Sequence, residues 1–144
     1  MKIRLVLAFV LVVLATLGIT VTVPAQTPSR KVIEITASSF KFEPNAIVVN
    51  EGDTVVIRFK NADQSGRPHN FASRYLANIP VTVRGDGRQA IEEERKYVQV
   101  DAGKQAEFEF VATNRGSSAF ICGVFIHSFA GMTGTIIVRP AGSP

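Results

Sequence analysis

Four side chains able to bind a soft metal ion are present in a 144-residue chain that has few others of their kind. Cys122 is the only cysteine, His69 and His127 are the only histidines, and Met132 is the only methionine besides the initiator. One thiolate, two imidazoles and one thioether complete the ligand set of a trigonal copper site with a long, weak axial sulfur. Thiolate and thioether favour Cu(I), and imidazole accepts both Cu(I) and Cu(II). Such a set therefore holds one copper ion that can exchange a single electron with little rearrangement. Three of the four fall within residues 122–132, read Cys-Gly-Val-Phe-Ile-His-Ser-Phe-Ala-Gly-Met, with His127 midway.

Taken singly, each has a plainer reading. A lone histidine is usually a satisfied or surface residue, a lone methionine fills core space, and a buried cysteine is usually inert. A single cysteine in an exported chain cannot form an internal disulfide. The joint placement favours the metal, because the scarce donors are concentrated in one short stretch and on one further loop.

The surrounding pattern supplies what must position them. Period-two alternation dominates from Lys31 onward. Ile33, Ile35 and Ala37 share one face of a first strand, and Phe40 and Phe42 continue the alternation to Pro44. Residues 46–50 form a second strand, ended by Glu51-Gly52-Asp53, and residues 54–60 a third with Val55, Ile57 and Phe59 inward. Asn, Asp, Ser, Gly and Pro make residues 61–68 a loop, and His69 begins a short extended segment after it. Residues 105–111 alternate with Ala106, Phe108 and Phe110 inward. Residues 117–122 and 132–139 are the last two strands, so Cys122 ends one and Met132 starts the next. Residues 74–97 read as an insertion, with a strand expected over 79–83 and a short capped helix over 86–96. Some seven to eight short strands with regular turn signals predict an all-β fold, a β-sandwich.

Residues 1–25 read as a secretory signal: Lys2 and Arg4, then an apolar run, then Val23-Pro24-Ala25 for cleavage. The run is long enough that an uncleaved membrane anchor is the alternative. A linker over 26–30 and one domain over 31–140 follow. Removing the leader lowers the net charge from +4 to +2, because Lys2 and Arg4 leave with it. With no block of Lys or Arg, nucleic-acid binding is not expected. Membrane contact is expected only if the leader stays, and the domain is expected to be a monomer in an extracytoplasmic compartment.

Cys122-x₄-His127-x₄-Met132, with upstream His69-Asn70, resembles the cupredoxins, and its loop spacing is most similar to rusticyanin and sulfocyanin. Phe40-x-Phe42-x-Pro44 and Glu51-Gly52-Asp53-x-Val55 belong to the same resemblance, which spans roughly residues 31–139. It implies a Greek-key β-sandwich with copper at one end, a mononuclear type 1 (blue) copper electron carrier with His69, Cys122, His127 and Met132 as ligands and redox proteins such as cytochromes or a terminal oxidase or reductase as partners. It implies that Asn70 holds the Cys122 loop by hydrogen bonding and that Phe120 packs beneath the copper. It also implies a surface-facing edge on His127, within an apolar electron-transfer patch drawn from Val124, Phe125, Ile126 and Phe129.

A catalytic copper would need histidines beyond the two already used, and a binuclear centre would need a second cysteine, so no enzyme is expected. The remaining alternative is a copper-binding or delivery protein without electron transfer, which would favour exposed donors and dispense with Cys122.

Overall fold

The alternating stretches do become strands, and their buried faces meet in one core. The computed structural model describes residues 27–144. The expected leader over residues 1–25 and the first linker residue, Gln26, lie outside the described residues.

Eleven strands are formed: β1 (Arg30–Ser38), β2 (Lys41–Glu43), β3 (Ala46–Asn50), β4 (Thr54–Asn61), β5 (His69–Ser73), β6 (Thr82–Gly85), β7 (Arg88–Glu92), β8 (Arg95–Val100), β9 (Gln105–Val111), β10 (Gly116–Ile121) and β11 (Thr133–Arg139). They make two sheets, ordered β2-β1-β4-β9-β6 and β3-β11-β10-β5-β8-β7. The pairs β1–β4 and β3–β11 are parallel and the rest antiparallel. Two mixed sheets facing each other across alternating apolar positions make a β-sandwich.

The core is rich in phenylalanine. Phe42, Phe59, Phe71, Phe108 and Phe120 are all buried. Phe71 stacks on Phe120 with ring centres 4.2 Å apart, and Phe42 meets Phe120 at 5.0 Å. Each buried ring contributes about 1.5–3 kcal/mol, with about 0.5–1.5 kcal/mol more for a well-placed aromatic pair. The cluster ties β2, β5 and β10 together, and β5 and β10 are the strands that lead to His69 and Cys122.

This packing makes Gly134 indispensable. It lies opposite Phe120 in the β10–β11 register. A Cβ there would overlap the tip of the Phe120 ring and stand 2.6 Å from the Asn45 carbonyl oxygen. Gly134→Ala should therefore cost about 1–3 kcal/mol of stability, read as a lower midpoint in urea unfolding. An unchanged midpoint would show that the ring can move aside freely.

The 74–97 segment departs from expectation. No helix forms over 86–96: β7 and β8 pair as a hairpin, with Glu92 opposite Arg95. Glu93 and Glu94 are its two turn residues, with φ of 47° and 61°. Two positive φ values give the turn a twist that matches the flanking strands, and charged residues there carry no sequence signal for such a turn. The strand expected over 79–83 begins later, at Thr82. β6 pairs with β9 in one sheet, while β7 joins the other through β8. Gly87 lies at the crossing, where a Cβ would stand 2.7 Å from Ala106 Cβ and 2.8 Å from Val83 Cγ1. The Asp86-Gly87 pair that reads as a helix start is thus a close approach of backbone to core. With β2, which the turn at Phe40 splits from β1, these additions bring the strand count to eleven against the expected seven or eight.

Candidate metal centre

β5 opens with His69, paired to Val100, and β10 ends one residue before Cys122. The 122–132 loop folds back on itself through backbone bonds. Cys122 N–H donates to Met132 O, and Met132 N–H to His127 O, each at 3.0 Å; His127 N–H donates to Val124 O at 3.1 Å. These bonds turn His127 back toward Cys122 and lock Met132 beside both.

The result brings His69, Cys122 and His127 together, with one ligand atom from each lying within 4.8 Å of the others. Cys122 Sγ is 3.6 Å from His69 Nδ1 and 3.4 Å from His127 Nδ1. An ion bonded at about 2.0 Å to nitrogen and about 2.3 Å to thiolate sulfur, with angles near 110–120°, needs sulfur–nitrogen edges of about 3.5–3.7 Å. The observed sulfur–nitrogen edges are close to that range, so the residues present fit a metal ion, and one thiolate with two imidazoles suits copper. Met132 is fully buried in the same core cluster.

Burial sets the electrostatics. It pushes the Cys122 thiol up, while backbone N–H groups of Asn70 and Val124, which donate to the sulfur, act the other way. A metal ion would overcome the effect of burial outright, since a coordinating thiol is deprotonated by the ion's own charge. Burial lowers His69, opposed by the neighbouring Asp63. It also lowers His127, reinforced by His69 and Arg67. Both imidazoles thus stay neutral near pH 7, each with a lone pair to give.

Asn70 Oδ1 accepts a hydrogen bond from Gly123 N–H at 2.7 Å, tying β5 to the start of the ligand loop. Phe120 sits two residues before Cys122, wholly buried in the aromatic cluster.

Four further findings depart from the sequence reading or were missed by it. Val124 does not belong with the exposed residues of its loop; it is buried, because the turn that carries its carbonyl to His127 N–H points its side chain into the core. Phe125, Ile126 and Phe129 are exposed at 84, 68 and 92%. His127 is only 3% exposed rather than open at its edge. The cause is Phe40, in the β1–β2 turn, whose ring meets His127 edge-on at 5.0 Å. Arg67 lies over the Phe40 ring, 5.6 Å from its centre, a cation–π contact. Phe40 holds φ of 64°, so it takes part in the turn and not, as the alternation suggested, in a continuing strand. Asp63 is buried beside His69, with its Oδ2 3.3 Å from His69 Nε2. The loop composition around it gave no hint of that contact.

A family model for the cupredoxin-like domain matches residues 7–138. Against curated proteins the sequence has no match. Among solved structures, auracyanin B is similar at 20% identity, with 80% of this chain and 92% of that chain covered and a TM-score of 0.60. Auracyanin A from Chloroflexus aurantiacus, described as a "blue" copper protein, is 22% identical over 76% of this chain and 99% of that one, with a TM-score of 0.57. A blue copper oxidase from Nitrosomonas europaea is 19% identical over 81% of this chain, but over only 40% of its own length, with a TM-score of 0.56. At these identities the structural likeness shows a shared fold.

Proposed function

The chain belongs to the cupredoxin-like domain family, and on that basis we propose that it is a mononuclear type 1 copper protein shuttling single electrons between extracytoplasmic redox partners. The observation that carries this reading is the sealing of the donor set. His69, Cys122 and Met132 are fully buried and His127 is 3% exposed. A delivery protein must release its metal to a recipient, which favours open donors. A carrier needs the reverse, a site held in one arrangement for both oxidation states.

His69, Cys122 and His127 would hold the copper, with Met132 as the weak fourth contact. The ion supplies the one-electron couple. The chain excludes water, keeps both imidazoles neutral, and aims the thiolate by way of the Asn70 and Val124 amides. Catalysis has less support, since the sequence contains no histidine or cysteine beyond these three to build a second copper site. The secretory signal read over residues 1–25 of the sequence favours work outside the cytoplasm, with redox proteins such as cytochromes as partners.

One experiment tests the reading. Protein recovered from the extracytoplasmic fraction, starting at Gln26 by intact mass, should bind one copper. When oxidised it should show an intense thiolate-to-Cu(II) visible band that bleaches reversibly in a one-electron redox titration. Copper bound without that band would favour delivery.

A further inference from the structure

The two carboxylate oxygens of Asp63 do separate work. Oδ1 serves the loop: it accepts from Ser65 N–H at 2.7 Å and from the Ser65 hydroxyl. The loop is fastened from its other side by Asn61. Its Oδ1 accepts from Asp63 N–H at 2.9 Å, and its Nδ2 donates to Arg67 O at 2.8 Å and Val100 O at 3.0 Å. The Arg67 backbone N–H also donates to this carboxylate. Oδ2 is turned inward to His69 Nε2, at 3.3 Å, with the Asp63 side chain 3% and the His69 side chain 0% exposed.

A buried carboxylate is costly unless its oxygens are partnered. Oδ2 faces the ring nitrogen opposite the one that points at Cys122. We propose that Asp63 is a positioning residue for the copper: it fixes the His69 tautomer and places a fixed negative charge behind that ligand. The proposal rests on the copper reading above.

The argument is one of donors and acceptors. An ionised carboxylate can only accept, so Nε2 must carry the ring hydrogen. In a neutral imidazole the lone pair is then left on Nδ1, the atom 3.6 Å from Cys122 Sγ. An outer hydrogen-bond partner of this kind orients the ring and raises its basicity, and losing one typically lowers metal affinity about 10–100-fold. A carboxylate does more than a neutral acceptor would. Its full charge favours the more positive oxidation state, so it selects Cu(II) over Cu(I) and holds the reduction potential down.

Asp63→Asn keeps the shape and an acceptor for Ser65 but removes the charge. The Cu(II)-to-Cu(I) affinity ratio should fall about tenfold, which for one electron is a potential raised by about 59 mV. In the copper-free protein, nitrogen NMR should find the His69 proton on Nε2 in the parent and a mixed or reversed tautomer in Asp63→Asn. Ser65→Ala is the control: it removes a loop contact made by Oδ1 and should move neither the tautomer nor the potential. Asp63→Asn at the parent's potential, or equal shifts from both variants, would reduce Asp63 to a loop fastener. If Asp63→Asn does not fold, the parent still decides, because a His69 proton on Nδ1 in the copper-free protein overturns the proposal. That measurement needs no copper, so its failure is distinguishable from failure of the electron-carrier reading.

Discussion

Cys122→Ser should abolish the intense visible band and the redox cycling of the copper protein while leaving the sandwich folded. Cys122 is the only thiol in the chain, so no other residue can supply the copper–thiolate bond from which the band arises. A serine hydroxyl does not ionise near neutral pH and is a hard donor, poorly matched to Cu(I). Any copper left on His69 and His127 would be an imidazole complex, with Cu(I) affinity down by orders of magnitude. The fold should survive for a local reason. The backbone N–H groups of Asn70 and Val124 already point at the sulfur, so a buried hydroxyl would find donors waiting. A buried polar group left unpaired costs about 1–3 kcal/mol, and one that finds donors costs less, a fraction of domain stability. Circular dichroism should be unchanged, while the spectrum and voltammogram go blank. A blue, redox-active serine variant would end the type 1 copper reading.

A charge on the tip of the ligand loop should slow electron self-exchange by about a hundredfold with the spectrum intact. Phe125, Ile126 and Phe129 are three large apolar side chains exposed on one short loop, and apolar side chains exposed together mark interaction surfaces. They flank the covered His127 in sequence, and Phe125 lies 6.5 Å from it, ring centre to ring centre. Small apolar contacts suit partners that dock briefly. Self-exchange requires two copies to meet by this same patch, so one aspartate on each sets like charges face to face. Like-charge juxtaposition costs several kcal/mol, and each 1.4 kcal/mol is tenfold. Phe129→Asp and Ile126→Asp should fold normally because the parent side chains are in water. Phe125→Asp should do so too, since its φ of 47° is a conformation aspartate tolerates well. Added salt should restore part of the rate by screening. Val124→Asp is the contrasting case: its side chain is buried, so that change should damage the site itself. If the three exposed variants keep both colour and the parent rate, electrons leave elsewhere and the loop is only a cover.

Most of the strand faces were legible from alternation. Ile35, Ala37, Val55, Ile57, Phe59, Ala106, Phe108 and Phe110 are all buried as the pattern requires. Alternation fails where the backbone leaves the pleat. Phe40 fits the period but sits in a turn at positive φ. Glu93 and Glu94 turn a hairpin that no Asn-Gly pair announces, and Gly87 marks a crossing that reads as a helix cap.

Chemistry carried by residue type is in the sequence by itself. With one thiol, two imidazoles and one internal thioether there is a single way to assemble a soft metal site. Clustered spacing within residues 122–132 already allowed three of the donors to converge on one turn-back. Only the tertiary structure decided which groups surround those donors. Phe40 reaches His127, and Asp63 turns one oxygen to His69, because strand pairing and loop closure bring them there; no periodicity or motif encodes either contact. Whether a loop side chain seals the site or faces a partner was also decided in three dimensions: Val124 and Phe125 are neighbours of similar hydrophobicity, and one backbone turn sends the first into the core and the second into water.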